Sequence, residues 1–284
     1  MTKRILALSI AFFWFSGFIY GQKLEFGLGI GASTYWGDLN APDFSTNLQN
    51  SGLAVELTGR AVYTKYLGMR VNLAFGTVNG TDARSTNLWQ RERNLSFSSY
   101  ILELAAMGEF YFFRYDEESF FIPYLTAGLS VFAFDPVTRF QGAEVRLQPL
   151  GTEGQGLNGF DDKYSLVSAA IPIGAGGKIK INDKINVSFD IILRRAFTDY
   201  LDDVSTNYVN FNEFISNGRP LSAQLGNRMH EFRGTQELVN LPTGTQRGGE
   251  KVKDYFFTTM LGIHFAMGEG FRKKKGYKSD CPKF

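Results

Sequence analysis

Hydrophobic and polar residues alternate along most of this chain, most clearly between residues 166 and 200. Two alternating runs in this segment flank Asn182 and Asp183, two residue types that favour tight turns. Each run has one face of aliphatic residues and one face of small or charged residues, Lys178 and Asp190 among them. A repeat of two residues is typical of a β-strand. The segment therefore predicts two antiparallel strands joined by a turn.

These predicted strands are long. An ordinary strand has about 5–6 residues, whereas a strand that crosses a bilayer needs roughly 9–11, and both runs reach that length. The same alternation recurs at residues 23–36, 53–61, 67–75, 100–112, 125–131 and 255–265. The chain thus predicts eight strands of membrane-crossing type.

Short and long connections alternate between the eight predicted strands. Short links follow strands two, four and six, and long ones follow strands one, three, five and seven, the longest at about residues 201–253. Bacterial outer-membrane barrels have even strand numbers, short periplasmic turns and long external loops. We therefore predict an all-β protein at residues 22–267: an eight-stranded antiparallel transmembrane β-barrel with long extracellular loops, short periplasmic turns and both termini in the periplasm. About eight strands leave a lumen just wide enough for side chains, so we expect no open pore.

Alternation alone does not say which face of the barrel wall points inward. A soluble, lipocalin-like barrel would bury the aliphatic face and is the structural alternative. The charged residues decide against it, because they occupy the other face and burying them in a dry core would cost several kcal/mol per ion. We therefore predict a polar network inside the lumen, formed by Glu25, Glu56, Arg60, Arg70, Glu103, Glu109, Lys178, Asp190, Arg194 and His264.

Glycines and aromatic residues also fit a narrow membrane barrel. Glycines on the inner face of the first strand would leave room for bulky neighbours. Aromatic residues near strand ends predict girdles at the membrane surfaces: Tyr35, Trp36, Tyr66, Phe110, Tyr111, Phe112, Phe113, Tyr200 and Tyr255.

The N-terminus has the pattern of a secretory signal peptide at residues 1–21. Lys3 and Arg4 precede an apolar stretch at residues 5–15, and cleavage is expected before Gln22. An uncleaved anchor helix is the alternative, but the apolar stretch is short for a membrane span. Removing Lys3 and Arg4 leaves 28 of the 30 basic residues against 28 acidic ones, a neutral balance that argues against nucleic acid as a partner.

Few residues suggest catalysis or cofactor binding. His264 could meet Ser188 and Asp190 on a facing strand, as nucleophilic hydrolysis would need, although a lumen histidine in a polar network is the favoured interpretation. The aspartates at residues 199, 202 and 203 lack the spacing of a known Ca²⁺ loop, and we interpret them as a solvated turn. The Gly-rich stretch at residues 151–156 follows no buried strand and opens no helix, so it predicts no nucleotide site. We expect no cofactor, no metal and no enzymatic activity.

The predicted periplasmic tail, residues 268–284, is basic and carries the only cysteine of the chain. A lone cysteine in a secreted protein indicates an intermolecular disulfide or a reactive thiol. We hypothesise that Cys281 forms a disulfide with a periplasmic partner. The basic run would dock on an acidic surface or on lipid headgroups: Arg272, Lys273, Lys274 and Lys275. A dispensable tail is the alternative.

Several motifs resemble those of PorG-like outer-membrane proteins of Bacteroidota, which belong to the type IX secretion and gliding machinery. They are YWGDLN at residues 35–40, GTEGQG at 151–156, AIPIG at 170–174, RAFTDYLDDVS at 195–205 and the terminal Cys281-Pro282. The resemblance covers nearly the whole mature chain. It implies a small, non-catalytic barrel that associates with the periplasmic ring of the PorK lipoprotein and PorN. It also implies that Cys281 is the covalent contact, with PorK the expected partner.

These observations leave three functional interpretations. The favoured one is an outer-membrane anchor or organiser of the PorK/PorN ring. The second is a barrel whose long external loops bind a surface ligand or a secreted substrate. The third is a lipid-modifying enzyme that uses His264.

Overall fold

The computed structural model describes residues 23–40, 44–115, 119–249 and 253–267, and most of them belong to nine strands. The strands are β1 (Lys23–Trp36), β2 (Gly52–Val62), β3 (Leu67–Thr81), β4 (Ser96–Tyr111), β5 (Phe121–Phe140), β6 (Ala143–Arg146), β7 (Val167–Lys180), β8 (Ile185–Ala196) and β9 (Tyr255–Met267). Five short α-helices lie in the connections: α1 (Phe44–Gln49), α2 (Leu88–Arg93), α3 (Phe211–Ser216), α4 (Pro220–Gly226) and α5 (Met229–Arg233). A 3-10 helix at Asp82–Arg84 precedes α2.

Eight of the strands form a closed barrel. Each pairs antiparallel with its neighbour in the order β1-β2-β3-β4-β5-β7-β8-β9. The ring closes where β9 pairs with β1 along its whole length, from Leu24 opposite Met267 to Trp36 opposite Tyr255. The predicted eight-stranded antiparallel barrel is confirmed.

All the short connections lie at one end of the barrel and all the long ones at the other, as predicted. The short-turn end holds residues 63–66, 112–115, 119–120 and 181–184, and the long-loop end holds residues 37–40, 44–51, 82–95, 141–166, 197–249 and 253–254. At residues 181–184, the Asn182 side chain accepts hydrogen bonds of 2.9 Å from the amides of Lys184 and Ile185. The Asn182 side chain thus accepts from two backbone amides of the turn that was predicted there.

The fifth strand is longer than predicted. The alternating run predicted there covers residues 125–131, but β5 continues to Phe140 and returns through the short strand β6. Gln141 and Gly142 both have positive φ angles, 49° and 82°, as the two central residues of a tight hairpin turn require. In the extended part of β5, Asp135 pairs with Arg146 of β6 at 2.7 Å.

The barrel turns its apolar face outward. Leu28 and Leu129 are 62% and 63% exposed, whereas Arg60 and Arg70 in the lumen are fully buried. Such an inverted surface is stable only against lipid, so the barrel is a transmembrane one. Within the described residues, no helix is long and apolar enough to span a membrane.

Two of the aromatic residues predicted for the membrane girdles point into the barrel instead. Tyr35 is 2% exposed and Tyr111 is fully buried, because each lies on the inner face of its strand. Trp36, Tyr66, Phe110, Phe112 and Phe113 are exposed near the strand ends, as a girdle requires. Proximity to a strand end therefore does not distinguish a girdle residue from a lumen residue, whereas the inward or outward register does.

Glycines of β1 make room for large side chains in the lumen. A Cβ atom at Gly27 would lie 2.0 Å from Nδ1 of His264, and one at Gly29 would lie 2.8 Å from the Glu56 side chain. The predicted role of these glycines agrees with the packing.

We expect Gly27→Val to destabilise the barrel by about 1–3 kcal/mol or more, because the lumen is already filled and the added methyl groups meet the His264 ring. Thermal unfolding in detergent micelles measures the change. The control is Gly108→Val, since Gly108 is exposed on the outer face and a Cβ there meets only the Ala127 carbonyl oxygen at 3.9 Å. Equal stability of the two variants would contradict the filled lumen.

Candidate functional site

The lower lumen, near the short turns, contains a chain of charged side chains that alternate in sign. Glu25 accepts from Lys178 Nζ at 2.6 Å and pairs with Arg60 at 3.3 Å. Arg60 Nε lies 2.8 Å from Glu109, and Glu109 lies 3.4 Å from Arg70. The chain ends at Asp190, which accepts from Arg70 at 2.8 Å. Every charge in this lumen chain therefore has a partner of opposite sign.

Tyrosines and amides supply the remaining hydrogen bonds of the lumen chain. Tyr124 donates to Asp190 at 2.7 Å, Tyr111 donates to Glu109 at 2.6 Å, and Asn186 donates to Glu25 at 2.8 Å. Tyr115 also donates to Glu25. Neutral donors of this kind let a narrow lumen hold carboxylates without adding further charge.

Of the other predicted lumen residues, Glu56, Glu103 and Arg194 lie above the lumen chain. Arg194 pairs with Glu103 at 2.8 Å, and Glu56 accepts from Asn72 at 2.9 Å. His264 faces inward and is buried. The structure thus places all ten predicted lumen residues inside the barrel. They form three groups: the lumen chain, which His264 joins through Ser188, the Arg194–Glu103 pair, and Glu56 with Asn72.

His264, Ser188 and Asp190 meet in the lumen, but not in the order that catalysis requires. Ser188 Oγ lies 2.8 Å from His264 Nε2 and donates to Asp190 at 3.0 Å. In a nucleophilic triad the carboxylate orients the histidine; here Asp190 holds the serine, and His264 Nδ1 has no hydrogen-bond partner among the described residues. All three side chains are buried among lumen residues. The arrangement is that of a packed polar group and offers no serine that a substrate can reach.

An aromatic layer separates the charged lower lumen from the long-loop end. Phe132 contacts Phe256 with ring centroids 5.6 Å apart, and Tyr35 contacts Phe97 at 4.9 Å. The buried cluster continues into the loops through Leu39, Leu201 and Val204. Side chains therefore fill the barrel along its axis.

The long loops form an ordered cap over the barrel, in which three of the sequence motifs meet. The Glu153 carboxylate of residues 151–156 accepts from the amide of Ser205 at 2.9 Å and from the amide of Thr206 at 3.1 Å. Arg247 donates to the same carboxylate at 2.8 Å. The motif at residues 35–40 joins them, since Tyr35 donates to Asp202 at 2.7 Å. Residues far apart in sequence thus form one cluster.

The prediction of a solvated acidic turn is wrong. Asp199, Asp202 and Asp203 are all buried. Asp203 accepts from Tyr164 at 2.6 Å, and Asp202 accepts from the amide of Val204 at 2.9 Å. Irregular loops leave amides unpaired, and buried carboxylates supply the acceptors that a regular element would provide.

Two arginines, which the sequence did not single out, join the loops of the cap. Arg93 donates twice to Asp82 at 2.8 Å, and also to the carbonyl oxygens of Arg247 at 2.7 Å and Asp38 at 2.9 Å. Arg247 donates to the carbonyl oxygens of Asp203 at 2.7 Å and Gly226 at 3.0 Å. All four long loops are therefore connected. Nothing in the spacing of these arginines along the chain indicates their role.

The Tyr35 hydroxyl holds two buried carboxylates together. It lies 2.7 Å from Asp202 and 2.8 Å from Asp254, and it also accepts from the amide of Asp38 at 2.9 Å. A phenol has one proton to donate, so two hydrogen bonds to carboxyl groups require a second proton, which Asp202 and Asp254 share. Burial raises the pKa of Asp202 and of Asp254 well above the usual value of 3.8, in agreement with a shared proton.

The remaining predicted site residues lie outside the described part of the chain. These are the signal peptide at residues 1–21, the basic run Arg272, Lys273, Lys274 and Lys275, and Cys281. Among residues 23–40, 44–115, 119–249 and 253–267, no three His, Cys, Asp or Glu side chains are arranged to hold a metal ion.

The sequence matches a family model described as "Domain of unknown function (DUF6089)" over residues 3–218. The chain belongs to this family. The match includes β1–β8 and the start of the last long loop of the DUF6089 protein. None of the curated proteins matches its sequence.

Three solved structures to which the DUF6089 protein is similar are small outer-membrane proteins. Neisserial surface protein A is 8% identical with a TM-score of 0.41, and the aligned region covers 85% of this chain and 96% of that protein. Ail of Yersinia pestis is 10% identical with a TM-score of 0.41, and the aligned region covers 86% of this chain and 98% of Ail. OprG from Pseudomonas aeruginosa is 12% identical with a TM-score of 0.38, and the aligned region covers 88% of this chain and 99% of OprG. Because identity and TM-scores are low, the barrel assignment rests on the strand pairing of the chain itself.

We expect Arg60→Met to cost about 3–5 kcal/mol of unfolding free energy, because it leaves Glu25 and Glu109 short of a buried partner. Urea unfolding in lipid vesicles measures the loss. The control is Arg146→Met, since Arg146 pairs with Asp135 on the surface and exposed pairs contribute about 0–1 kcal/mol. A loss for Arg60→Met no larger than that of the control would refute the role of the lumen chain.

The cap should loosen as the pH rises. Burial raises the pKa of Asp199 and of Asp203 to about 6, and that of Asp202 and Asp254 further above 3.8. A carboxyl group with a raised pKa stabilises the fold fully below its unfolded value, and this contribution is lost as the pH rises through the folded value. We therefore expect limited proteolysis within residues 197–254 to accelerate from about pH 4 through pH 6 and above.

Asp254→Asn should make this pH dependence shallower. Asparagine can still accept from the Leu201 amide, which donates to Asp254 at 2.9 Å, and its amide can donate to Tyr35 without a shared proton. The matched control is Asp161→Asn, because Asp161 is exposed on another loop. Identical pH profiles for Asp254→Asn and the unmodified chain would exclude the shared proton.

Proposed function

We propose that this protein is a non-enzymatic outer-membrane component of the type IX secretion and gliding machinery, which anchors or organises the periplasmic PorK/PorN ring. The observation that carries the proposal is the position of the two ends of the barrel. β1 begins and β9 ends at the short-turn end, where Leu24 lies opposite Met267. In outer-membrane barrels the short turns face the periplasm, so the basic segment that follows β9 would enter the periplasm beside such a ring.

The filled lumen supports a platform role rather than a transport role. The lumen chain, the aromatic layer and the cap occupy the axis of the barrel one after another. A secreted polypeptide cannot pass through an eight-stranded barrel filled in this way. The motifs that resemble PorG-like proteins support the assignment to this secretion machinery.

The tail supplies the proposed contacts. Cys281 would form a disulfide with a thiol of the membrane-anchored PorK lipoprotein, and the two electrons and two protons released would pass to the oxidising system of the periplasm. Arg272, Lys273, Lys274 and Lys275 would bind lipid headgroups or an acidic surface of PorK or PorN. A covalent bond holds a ring without a large interface, whereas a basic run contributes a salt-dependent attraction.

A second function is favoured by the cap. Residues 197–249, with α3, α4 and α5, form an ordered structure with internal hydrogen bonds. Ordered loops on a rigid barrel suit binding of a surface ligand or a secreted substrate. The two functions use opposite ends of the barrel and can be tested separately.

Cys281→Ser should abolish a mixed-disulfide band on non-reducing gels of outer membranes and sharply reduce recovery of the ring proteins after crosslinking. The control is Phe232→Asp, which adds a charge to an exposed residue of the cap and leaves the tail intact. Unchanged recovery of the same partners without Cys281 would remove the covalent tether. Loss of a surface ligand in Phe232→Asp alone would favour the second function.

A further inference from the structure

A cleft lies on the surface of the cap, away from the lumen. It has a volume of about 260 Å³ and lies between the loop that precedes β7 and the start of α4. Its walls include four apolar residues, Pro149, Leu150, Pro220 and Leu221, and two cationic ones, Lys163 and Arg219. The cleft therefore combines apolar walls with positive charge.

Backbone carbonyl groups fix the two cations in place. Lys163 Nζ donates to the Pro149 oxygen at 2.6 Å, and Arg219 donates to the oxygens of Gln155 at 3.0 Å and Gly156 at 2.8 Å. Carbonyl groups orient a cation but do not neutralise it. Between residues that the structure describes, no ion pair includes Lys163 or Arg219. Both positive charges therefore remain available to a ligand.

Both cationic side chains lie beside Gly156. A Cβ atom on this glycine would lie 3.6 Å from Lys163 Cε and 3.7 Å from Arg219 Nη2. Both side chains also have donors left, because an ammonium group carries three N–H bonds and a guanidinium group five. Asp161 and Asp162 precede Lys163 in the sequence but do not line the cleft. Two cations that line one cleft favour a ligand that carries two negative charges.

We propose that this cleft binds a phosphate monoester carried on a small organic body, such as a phosphorylated sugar. The phosphate would sit between Lys163 and Arg219, as charge-assisted hydrogen bonding favours, while the sugar would pack against Leu150 and Leu221. A volume of about 260 Å³ is near the lower limit of small-molecule pockets, which suits one sugar ring. Free sugar phosphates and the glycolipid headgroups of the outer leaflet both carry this chemistry.

The test uses the full-length protein in detergent micelles and calorimetric titration with glucose 6-phosphate, glucose and inorganic phosphate. We expect glucose 6-phosphate to bind more tightly than either of the other two, and Lys163→Gln to weaken its binding about tenfold or more. The matched control is Lys184→Gln, at an exposed lysine of the short-turn end. Because Arg219 also supports the loop, Leu221→Trp is the second variant: it fills the cleft without removing a charge and should block binding.

Three outcomes would overturn the proposal: no heat of binding for glucose 6-phosphate, equal affinity for glucose, or unchanged affinity in both variants. The source of the phosphate is identified by competition with vesicles that contain phosphorylated or dephosphorylated lipid A. Competition by the phosphorylated vesicles alone assigns the site to a glycolipid headgroup, and its absence, with glucose 6-phosphate bound, assigns it to a free sugar phosphate. The tail and Cys281 take no part in these measurements, so a negative result leaves the proposed anchoring function standing.

Discussion

The structure depends on the pairing of charges inside a closed barrel. Because lipid surrounds the barrel, the polar face of each strand must point into the lumen. Eight strands leave too little space there for bulk water. Glu25, Arg60, Glu109, Arg70 and Asp190 meet this constraint by alternating in sign across strands. The glycines of β1 follow from the same constraint, since such large side chains fit only beside residues without a Cβ atom.

The cap also contains buried carboxylates, but there they mainly pair with backbone amides. Its loops contain few regular elements, so buried amides need acceptors, and Glu153, Asp202 and Asp254 provide them. Arg93 and Arg247 balance part of this charge and bind carbonyl groups from other loops. Carboxylates in the lumen are thus neutralised by cations, whereas carboxylates in the cap mainly hold backbone. The cap therefore fixes the loops above a barrel that is already filled.

The fold could be predicted from the sequence because alternation is a local signal. A strand facing lipid on one side and a filled lumen on the other repeats every two residues, and the charges show which face is inward. Tyr35 shows the limit of this reasoning: its aromatic ring near a strand end suggested a girdle, although its register places it in the lumen. The contacts of Arg93, Arg247 and Asp254 depend on how four loops cross in space, and no spacing along the chain encodes that. The acidic turn was misjudged for the same reason, since charge alone does not report what covers a loop.

The closing pair of strands also determines how the protein can assemble. Glu25 bonds with Lys178, 153 positions away, and β1 closes with β9, the last strand of the barrel. Until that pair forms, the ionic side chains of an open sheet face lipid or water without their final neighbours. Partial barrels are therefore poor intermediates in a bilayer, and insertion is expected to be cooperative and slow, as it is for proteins whose contacts are distant in sequence. The order of synthesis puts the strand that completes the ring at the end of the chain, directly before the tail.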